Sequence, residues 1–167
     1  LRYLEPMYNG SSGLAPRARE RTPTGIVWLA DRQALRRPTA RNVFRRALDA
    51  IDRAVPPSPA IERFLDEQQP DLVVITPLIG LVPSSQVDLL RSAMRRRVPT
   101  AVFVWSWDHL SSKAVIRDMP DALFVWNETQ RREAVEMHAV PPRRVVVTGA
   151  QCFDQWFDRV PSRSREE

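Results

Sequence analysis

The chain has 167 residues, 43% of them apolar, so its length and composition suit one domain with a packed core. It has no run of about 18 apolar residues, which excludes a transmembrane helix, and its single cysteine, Cys152, excludes an internal disulfide. The net charge of +5 comes almost entirely from arginine. Because no nucleic-acid motif accompanies this charge, we interpret it as solvated helix faces and expect no nucleic-acid partner.

The first third of the chain predicts a lead-in without regular structure, one short strand and one long helix. Residues 1–24 are rich in Gly, Ser and Pro and predict a loop or disordered lead-in. Gly25–Ala30 is a short apolar run and predicts a strand. Thr39–Ala54 predicts an amphipathic helix, because its apolar residues share one face and its arginines take the other.

Three further helices are expected. One begins at Ser58-Pro59 and ends before Pro70, and the next runs from Pro83-Ser84-Ser85 to about Arg97. The last follows Asn127, which with Gln130 matches a capping box. Between these helices, four short β-branched or aromatic runs predict buried strands: Asp71–Thr76, Ala101–Trp105, Ala122–Trp126 and Arg144–Thr148.

This alternation of strands and helices predicts an α/β fold with a Rossmann-like, doubly wound parallel sheet. We expect residues 25–157 to form the domain, incomplete at its start. Residues 158–167 are expected to be a charged tail or the start of an interdomain linker.

Polar side chains follow each predicted strand, so a parallel sheet would gather them at its carboxyl edge, where ligands bind in such folds. The richest group lies between the two Phe-Val-Trp strands, and its Lys113 is the only lysine of the chain. The candidate catalytic residues are Asp108 and His109. The candidate substrate-binding residues are Thr76, Trp107, Ser111, Ser112, Lys113, Asn127, Glu128 and Gly149.

Each candidate also has a structural interpretation. Asp108 is equally well explained as a cap of the turn that follows it, and His109 as a loop histidine bonded to backbone. Asn127 is mainly a helix cap, Glu128 stabilises a helix N-terminus, and Gly149 supplies a backbone conformation or a close approach. The second histidine, His138, is expected to be structural. Four tryptophans are expected mostly in the core, although Trp107 is also a possible stacking surface for a sugar or base: Trp105, Trp107, Trp126 and Trp156.

Several common enzyme motifs are absent from the sequence, namely Walker A, GxGxxG, GxSxG and HExxH. Their absence argues against a P-loop NTPase, an ordinary dinucleotide oxidoreductase, an α/β-hydrolase and a zinc protease. The two histidines and one cysteine are scattered, so we expect no metal site.

The segment SWDHLSSK resembles a Ser-Trp-Asp-Asn-Leu-Thr/Ser-Thr/Ser-Lys segment of GT-B-type glycosyltransferase-like proteins of surface polysaccharide synthesis. The run from PDALFVWN to VTGAQCFDQWF is similar to a later stretch of the same proteins, and nucleotide-sugar 2-epimerases and CDP-glycerol glycerophosphotransferases share its ending in outline. The resemblance covers residues 70–157. It departs at His109, where the family pattern has Asn.

The resemblance implies the acceptor half of a two-domain enzyme of the cytoplasm, or of the inner face of the membrane by peripheral contact. Such an enzyme would transfer sugar from a nucleotide-sugar donor, bound mainly by a separate C-terminal domain, to a glycan or lipid-linked acceptor. No cofactor is expected. Asp108 or His109 would accept the acceptor proton, while Lys113 and a helix N-terminus would offset phosphate charge.

Two alternatives stay open at this point. The chain could be a stand-alone flavodoxin-like binding or regulatory module, or half of a nucleotide-sugar 2-epimerase. A reading frame that continues past Glu167 with a second strand-helix-strand pattern would favour an enzyme half over the stand-alone module.

Overall fold

A computed structural model describes residue 4 and residues 14–32, 37–78, 84–113 and 115–160. The chain divides into two compact units, Leu1–Glu62 and Arg63–Glu167. The first is helical in its described part, and the second contains a parallel sheet.

The first unit contains three helices and the start of a fourth: α1 (Leu14–Glu20), α2 (Thr24–Ala30), α3 (Pro38–Ala54) and α4 (Pro59–Gln68). The strand expected at Gly25–Ala30 is wrong, because these residues lie in α2 and bury Val27 and Ala30, which are three residues apart on one helix face. Short apolar runs do not distinguish a strand from a helix by periodicity alone. The loop expected for residues 1–24 is also wrong where α1 forms.

Helix α3 confirms the prediction for Thr39–Ala54 and begins one residue earlier, with Pro38 in its first turn. Helix α4 ends at Gln68, before Pro70 as expected. None of the 17 residues of α3 is buried. Of its predicted apolar face, Phe44 and Leu48 are half-buried and the rest is exposed: Val43, Ala47, Ile51 and Val55.

The second unit is built on four strands: β1 (Val73–Ile75), β2 (Thr100–Phe103), β3 (Ala122–Val125) and β4 (Val145–Val147). They form one sheet in the order β1-β2-β3-β4, and every neighbouring pair is parallel. This confirms the predicted α/β fold and the four predicted strands, although each strand is shorter than its apolar run. The register pairs Val74 with Ala101 and Phe103 with Phe124.

Helices α5 (Ser85–Arg95) and α6 (Glu128–His138) connect strands and pack on the sheet, α5 on β1 and β2 and α6 on β3 and β4. Each begins at a side-chain cap. Ser84 Oγ accepts a hydrogen bond from the Gln86 amide at 3.3 Å, and Asn127 Oδ1 accepts one from the Gln130 amide at 2.9 Å. The predicted helix starts are therefore confirmed by their cap geometry.

Among the described residues, one face of the sheet is covered except at Val147, which is 39% exposed at the end of β4. The covered face carries Val73, Ile75, Val102, Leu123 and Val125, all nearly inaccessible. The open face carries Val74, Phe103, Phe124 and Val146, of which Val74 is 51% and Val146 41% exposed. Burial on both faces, expected for the Asp71–Thr76 and Arg144–Thr148 runs, is thus wrong for β1 and β4.

The strand order bears on the winding of the sheet. Parallel crossovers are almost always right-handed, so four strands added in one direction place their connections on the same face. A doubly wound sheet reverses direction and carries helices on both faces. The described strands run β1 to β4 without reversal, so the doubly wound arrangement stays a prediction.

Among the described residues, no helix is both long and apolar enough to cross a bilayer.

Candidate functional site

The loop after β2 is organised by the carboxylate of Asp108. Its Oδ1 accepts hydrogen bonds from Ser106 Oγ at 2.9 Å and from the Lys113 ammonium at 2.7 Å. Its Oδ2 accepts one from Ser112 Oγ at 2.9 Å. These contacts close residues 106–113 into a compact turn, of which His109–Lys113 is a π-helical segment. Wide turns of this type occur often at functional sites. We call Ser106, Asp108, Ser112 and Lys113 the Asp108 cluster.

The same contacts determine the acidity of Asp108. Partial burial alone would raise the pKa of its carboxyl group. The hydrogen bonds from Lys113, Ser106 and Ser112, together with the lysine charge, outweigh burial and lower the pKa to about 2. The group is therefore ionised at neutral pH, but it binds a proton too weakly to serve well as a general base there.

Lys113 is oriented by the Asp108 cluster, and its side chain is partly exposed. Its Nζ contacts Asp108 Oδ1 and lies 3.3 Å from Ser106 Oγ. The lysine side chain is nevertheless 43% exposed, against 20% for the Asp108 side chain. Two protein oxygens of the cluster thus orient the ammonium, and part of the lysine side chain is in contact with solvent.

His109 points into the protein. It is 2% exposed, and its Nε2 donates to the backbone carbonyl of Leu78 at 3.2 Å. Burial, followed by the Lys113 charge, lowers the pKa of His109, so the ring is neutral at physiological pH. The sequence left two interpretations of His109 open, catalysis and bonding to the backbone. In the structure the ring is bonded to the backbone.

His138 supports the turn from its other side. Its Nε2 donates to the carbonyl of Leu110 at 2.8 Å, and its Nδ1 accepts a hydrogen bond from the amide of Ile116 at 3.2 Å. Burial lowers the pKa of this ring as well. The predicted structural role of His138 is confirmed.

Gln130 is a site residue that the sequence indicated only as half of a capping box. It is 2% exposed. Its Oε1 accepts from the amide of Trp126 at 2.8 Å rather than from Asn127, and its Nε2 donates to the carbonyls of Ser106 and Trp107 at 3.0 and 3.3 Å. One side chain thus joins the end of β3 to the loop that carries the Asp108 cluster.

Two tryptophans of the same loop are exposed to solvent. Trp105 is 64% and Trp107 74% exposed. The core positions expected for Trp105, Trp107 and Trp156 are wrong. Strand β2 ends at Phe103, which leaves Trp105 and Trp107 beyond the sheet. Trp156 is also exposed, at 57%, whereas Trp126 is half-buried and meets Phe153 edge-on at 5.6 Å. Exposed indole rings offer flat apolar surfaces on which a sugar or a base can stack.

The other candidates lie farther along the same edge. Ser111 Oγ contacts the Asp108 carbonyl at 3.5 Å, so it belongs to the turn. Thr76 follows β1, and its carbonyl accepts a bond from Gln86 at 3.5 Å. Glu128 is exposed and pairs with Arg131 at 3.5 Å.

Gly149 follows β4 and has a φ of +85°, in the region that favours glycine. A Cβ added there would meet nothing within 4 Å, so conformation rather than close approach explains this glycine. Neighbouring strands lie about 4.8 Å apart, which puts the ends of β1 and β4 roughly 14 Å from each other. The structure thus brings together residues 106–113 and leaves Thr76 and Gly149 at opposite ends of the edge.

Across the part of the chain that the structure describes, no group of three or more His, Cys, Asp or Glu side chains is placed to hold a metal ion. The chain was also compared with known proteins. No family model, no curated protein and no solved structure matches it.

Proposed function

We propose that the parallel-sheet unit is the acceptor half of a GT-B-type glycosyltransferase-like enzyme. The enzyme would transfer a sugar from a nucleotide-activated donor to a cell-surface glycan or lipid-linked acceptor, with the donor bound mainly by a further domain. The proposal includes the finer fold assignment, a Rossmann-like doubly wound sheet, which needs strand or helix elements beyond the four described strands. Its supports are the parallel sheet, the resemblance over residues 70–157, and the chemistry of the loop after β2.

The observation that carries the proposal is an oriented and partly exposed lysine on the same loop as two exposed tryptophans. Lys113 is fixed by Asp108 and Ser106 yet remains 43% exposed. Trp105 and Trp107 lie on the same loop, at the carboxyl end of β2. A cation suits a phosphate group and an indole face suits a sugar ring. A sugar linked to phosphate presents both features, as do a nucleotide-sugar and a lipid-linked acceptor.

The geometry favours a positioning role for Asp108 over proton transfer. Its pKa of about 2 reflects donors that already occupy the carboxylate. His109 is directed at the Leu78 carbonyl and away from solvent. We therefore assign Asp108 to hold Lys113, and His109 to hold the turn against the segment after β1. The acceptor proton would be removed by a group from outside this cluster.

The test uses the indole N–H signals of the five tryptophans in a nitrogen-15-labelled sample. Glucose 1-phosphate and a panel of nucleoside-diphosphate sugars are added to the full chain. We expect the signals of Trp105 and Trp107 to shift with saturation and the signal of Trp28, which is 58% exposed in the first unit, to stay in place. Equal shifts at Trp28, or none at Trp105 and Trp107, would overturn the assignment of the site.

A second measurement separates an enzyme half from a complete enzyme. The purified chain is incubated with the same nucleoside-diphosphate sugars, and released nucleotide is measured against a heat-killed control. We expect no release, because the donor domain would be absent. Release above the control would refute the acceptor-half proposal, whereas binding without release is also what a stand-alone binding module would give. If adding a separately expressed downstream domain restored sugar transfer, the result would favour an enzyme half over a stand-alone binding module.

A further inference from the structure

Helix α3 displays an apolar stripe that its own unit does not bury. Val43, Ala47, Ile51 and the cap residue Val55 recur every four residues and so lie along one side of the helix. All four are exposed, Val43 at 63%, Ile51 at 65% and Val55 at 58%. We call these four residues the α3 stripe.

An exposed stripe of this kind is unusual for a helix of this length. Amphipathic helices of globular proteins normally turn their apolar side to the core, and packing of that side supplies most of their stability. In α3 no residue is buried. The stripe is therefore suited to an apolar environment that lies outside the described chain.

The charges around the stripe indicate the chemistry of that environment. Residues 37–54 contain five arginines and two aspartates, a net charge of +3. Arg46 is exposed and lies roughly 60° around the helix from Val43 at 3.6 residues per turn. Arg53 is also exposed but lies roughly 160° from Ile51, on the polar side of the helix. Long arginine side chains can keep their guanidinium groups at a polar boundary while their stems lie along an apolar surface.

We propose that α3 docks on an anionic lipid surface, with the α3 stripe inserted at the boundary between headgroups and acyl chains. A large apolar side, a polar face rich in arginine and low overall hydrophobicity characterise helices that lie in the membrane interface. Anionic headgroups then pair with the exposed arginines of α3, such as Arg46 and Arg53. This inference rests on the first unit and is independent of the function proposed for the second.

Two other partners fit the same helix less well. A nucleic acid would pair with the arginines but would leave Val43 and Ile51 in water. A second copy of α3 could cover the stripe, but it would bring together two segments of charge +3. A bilayer with anionic headgroups satisfies the apolar stripe and the arginines together.

The first experiment is flotation of the full chain with vesicles of phosphatidylcholine alone or with about one-third phosphatidylglycerol. We expect binding only to the anionic vesicles, with a loss as salt rises from about 0.1 to 0.5 M, because screening shortens the range of the attraction. Arg46→Gln with Arg53→Gln should weaken binding by roughly fivefold per arginine. The matched control, Arg132→Gln with Arg143→Gln, removes the same charge from exposed positions of the second unit and should leave binding within twofold.

The apolar component is tested in the same way. Val43→Ser with Ile51→Ser should reduce binding by at least tenfold, since each loses an inserted aliphatic side chain. Both residues are exposed, so the thermal unfolding midpoint should not fall. Phe157→Ser with Val160→Ser alters two other exposed apolar residues, 87% and 82% accessible, and should have no such effect on binding.

Insertion itself is read from an environment-sensitive fluorophore on a cysteine, after Cys152→Ser removes the native thiol. A label at Ala47→Cys, on the stripe, should shift its emission to the blue on anionic vesicles. A label at Asn42→Cys, which is exposed on the polar side of α3, should shift much less.

Three results would overturn the proposal. Binding that depends on the arginines but not on Val43 and Ile51 would indicate a general polyanion site. Emission shifts that are equal at positions 42 and 47 would exclude insertion of the stripe. A concentration-dependent dimer that disappears in Val43→Ser with Ile51→Ser, without vesicle binding, would assign the stripe to a second copy.

Discussion

The side-chain amide of Gln130, in the first turn of α6, donates to the backbone carbonyl of Ser106 at 3.0 Å. This contact joins two chain segments that lie 24 residues apart. The same side chain also accepts from the Trp126 amide. The end of β3 and the loop that carries Asp108 and Lys113 are thereby held in one arrangement, which is the physical basis for treating that loop as a preorganised site.

Replacement of Gln130 by alanine should destabilise the second unit by about 1–3 kcal/mol, because it leaves the partly buried Trp126 amide and Ser106 carbonyl without their partner. Urea denaturation followed by tryptophan fluorescence measures the loss. Glu136→Ala changes an exposed residue of the same helix and should stay within about 0.5 kcal/mol. If the two variants were equally stable, the Gln130 hydrogen bonds would not contribute to the free energy of unfolding.

The Asp108 carboxylate should titrate with a midpoint near its lowered pKa of about 2, because Lys113, Ser106 and Ser112 all donate to it. Carbon-13 detection of side-chain carboxyl groups follows this midpoint directly. In Lys113→Met the strongest donor and its charge are lost, so the midpoint should rise toward the ordinary value of 3.8. An unchanged midpoint in that variant would show that the ion pair does not form in solution.

The two histidines should make the second unit less stable in mild acid. Burial lowers the pKa of His109 and of His138 below the ordinary value of 6.5. Below that value the unfolded chain takes up protons that the folded chain refuses, so this contribution is complete above about pH 6.5 and is lost as pH falls through the folded-state pKa values. Thermal unfolding midpoints measured at about pH 7.5 and pH 5.5 should therefore differ, with the lower value in acid.

His138→Gln provides the control for this pH dependence. Glutamine has one acceptor and donors, so it can retain part of the bonding to Ile116 and Leu110 but cannot titrate. We expect a less stable protein at neutral pH whose unfolding midpoint changes less between the two pH values. A pH dependence equal to that of the parent chain would remove His138 from the explanation.

Gly149→Ala should cost about 1 kcal/mol through backbone strain alone, since its φ is +85° and nothing surrounds the added methyl group. Gly25→Ala provides a comparison in equally open space, within α2 and without a positive φ. There the change should be neutral or stabilising by up to about 1 kcal/mol. Denaturation curves of both variants decide, and a cost at Gly149 no larger than at Gly25 would contradict the conformational explanation.

The parallel sheet could be predicted because its signal is local. Runs such as Ala101–Trp105 and Ala122–Trp126 are short and apolar, and helix caps such as Asn127 mark where the chain turns. The extent of each strand was less predictable. Trp105 continues the apolar run of β2 but lies beyond the last paired residue, and only tertiary hydrogen bonding sets that limit.

The sequence predicts where the site lies but not the directions in which its side chains point. Its place after β2 follows from the order of strands. The direction of His109 depends on the Leu78 carbonyl, 31 residues away, and the second contact of Gln130 depends on Ser106. The helical state of Gly25–Ala30 likewise depends on what buries Val27 and Ala30. Contacts between distant residues decide these features, and a single sequence does not display them.

The most direct test of the site is the affinity of the full chain for glucose 1-phosphate, measured by the Trp105 and Trp107 indole shifts in the parent chain and in Lys113→Gln. We expect roughly tenfold weaker binding in the variant, because a charge-assisted bond to phosphate is lost. Arg132→Gln, which removes an exposed charge from α6, should bind like the parent chain. Equal affinity in the parent chain and in Lys113→Gln would contradict the central claim that the loop after β2 is an anion site built around Lys113.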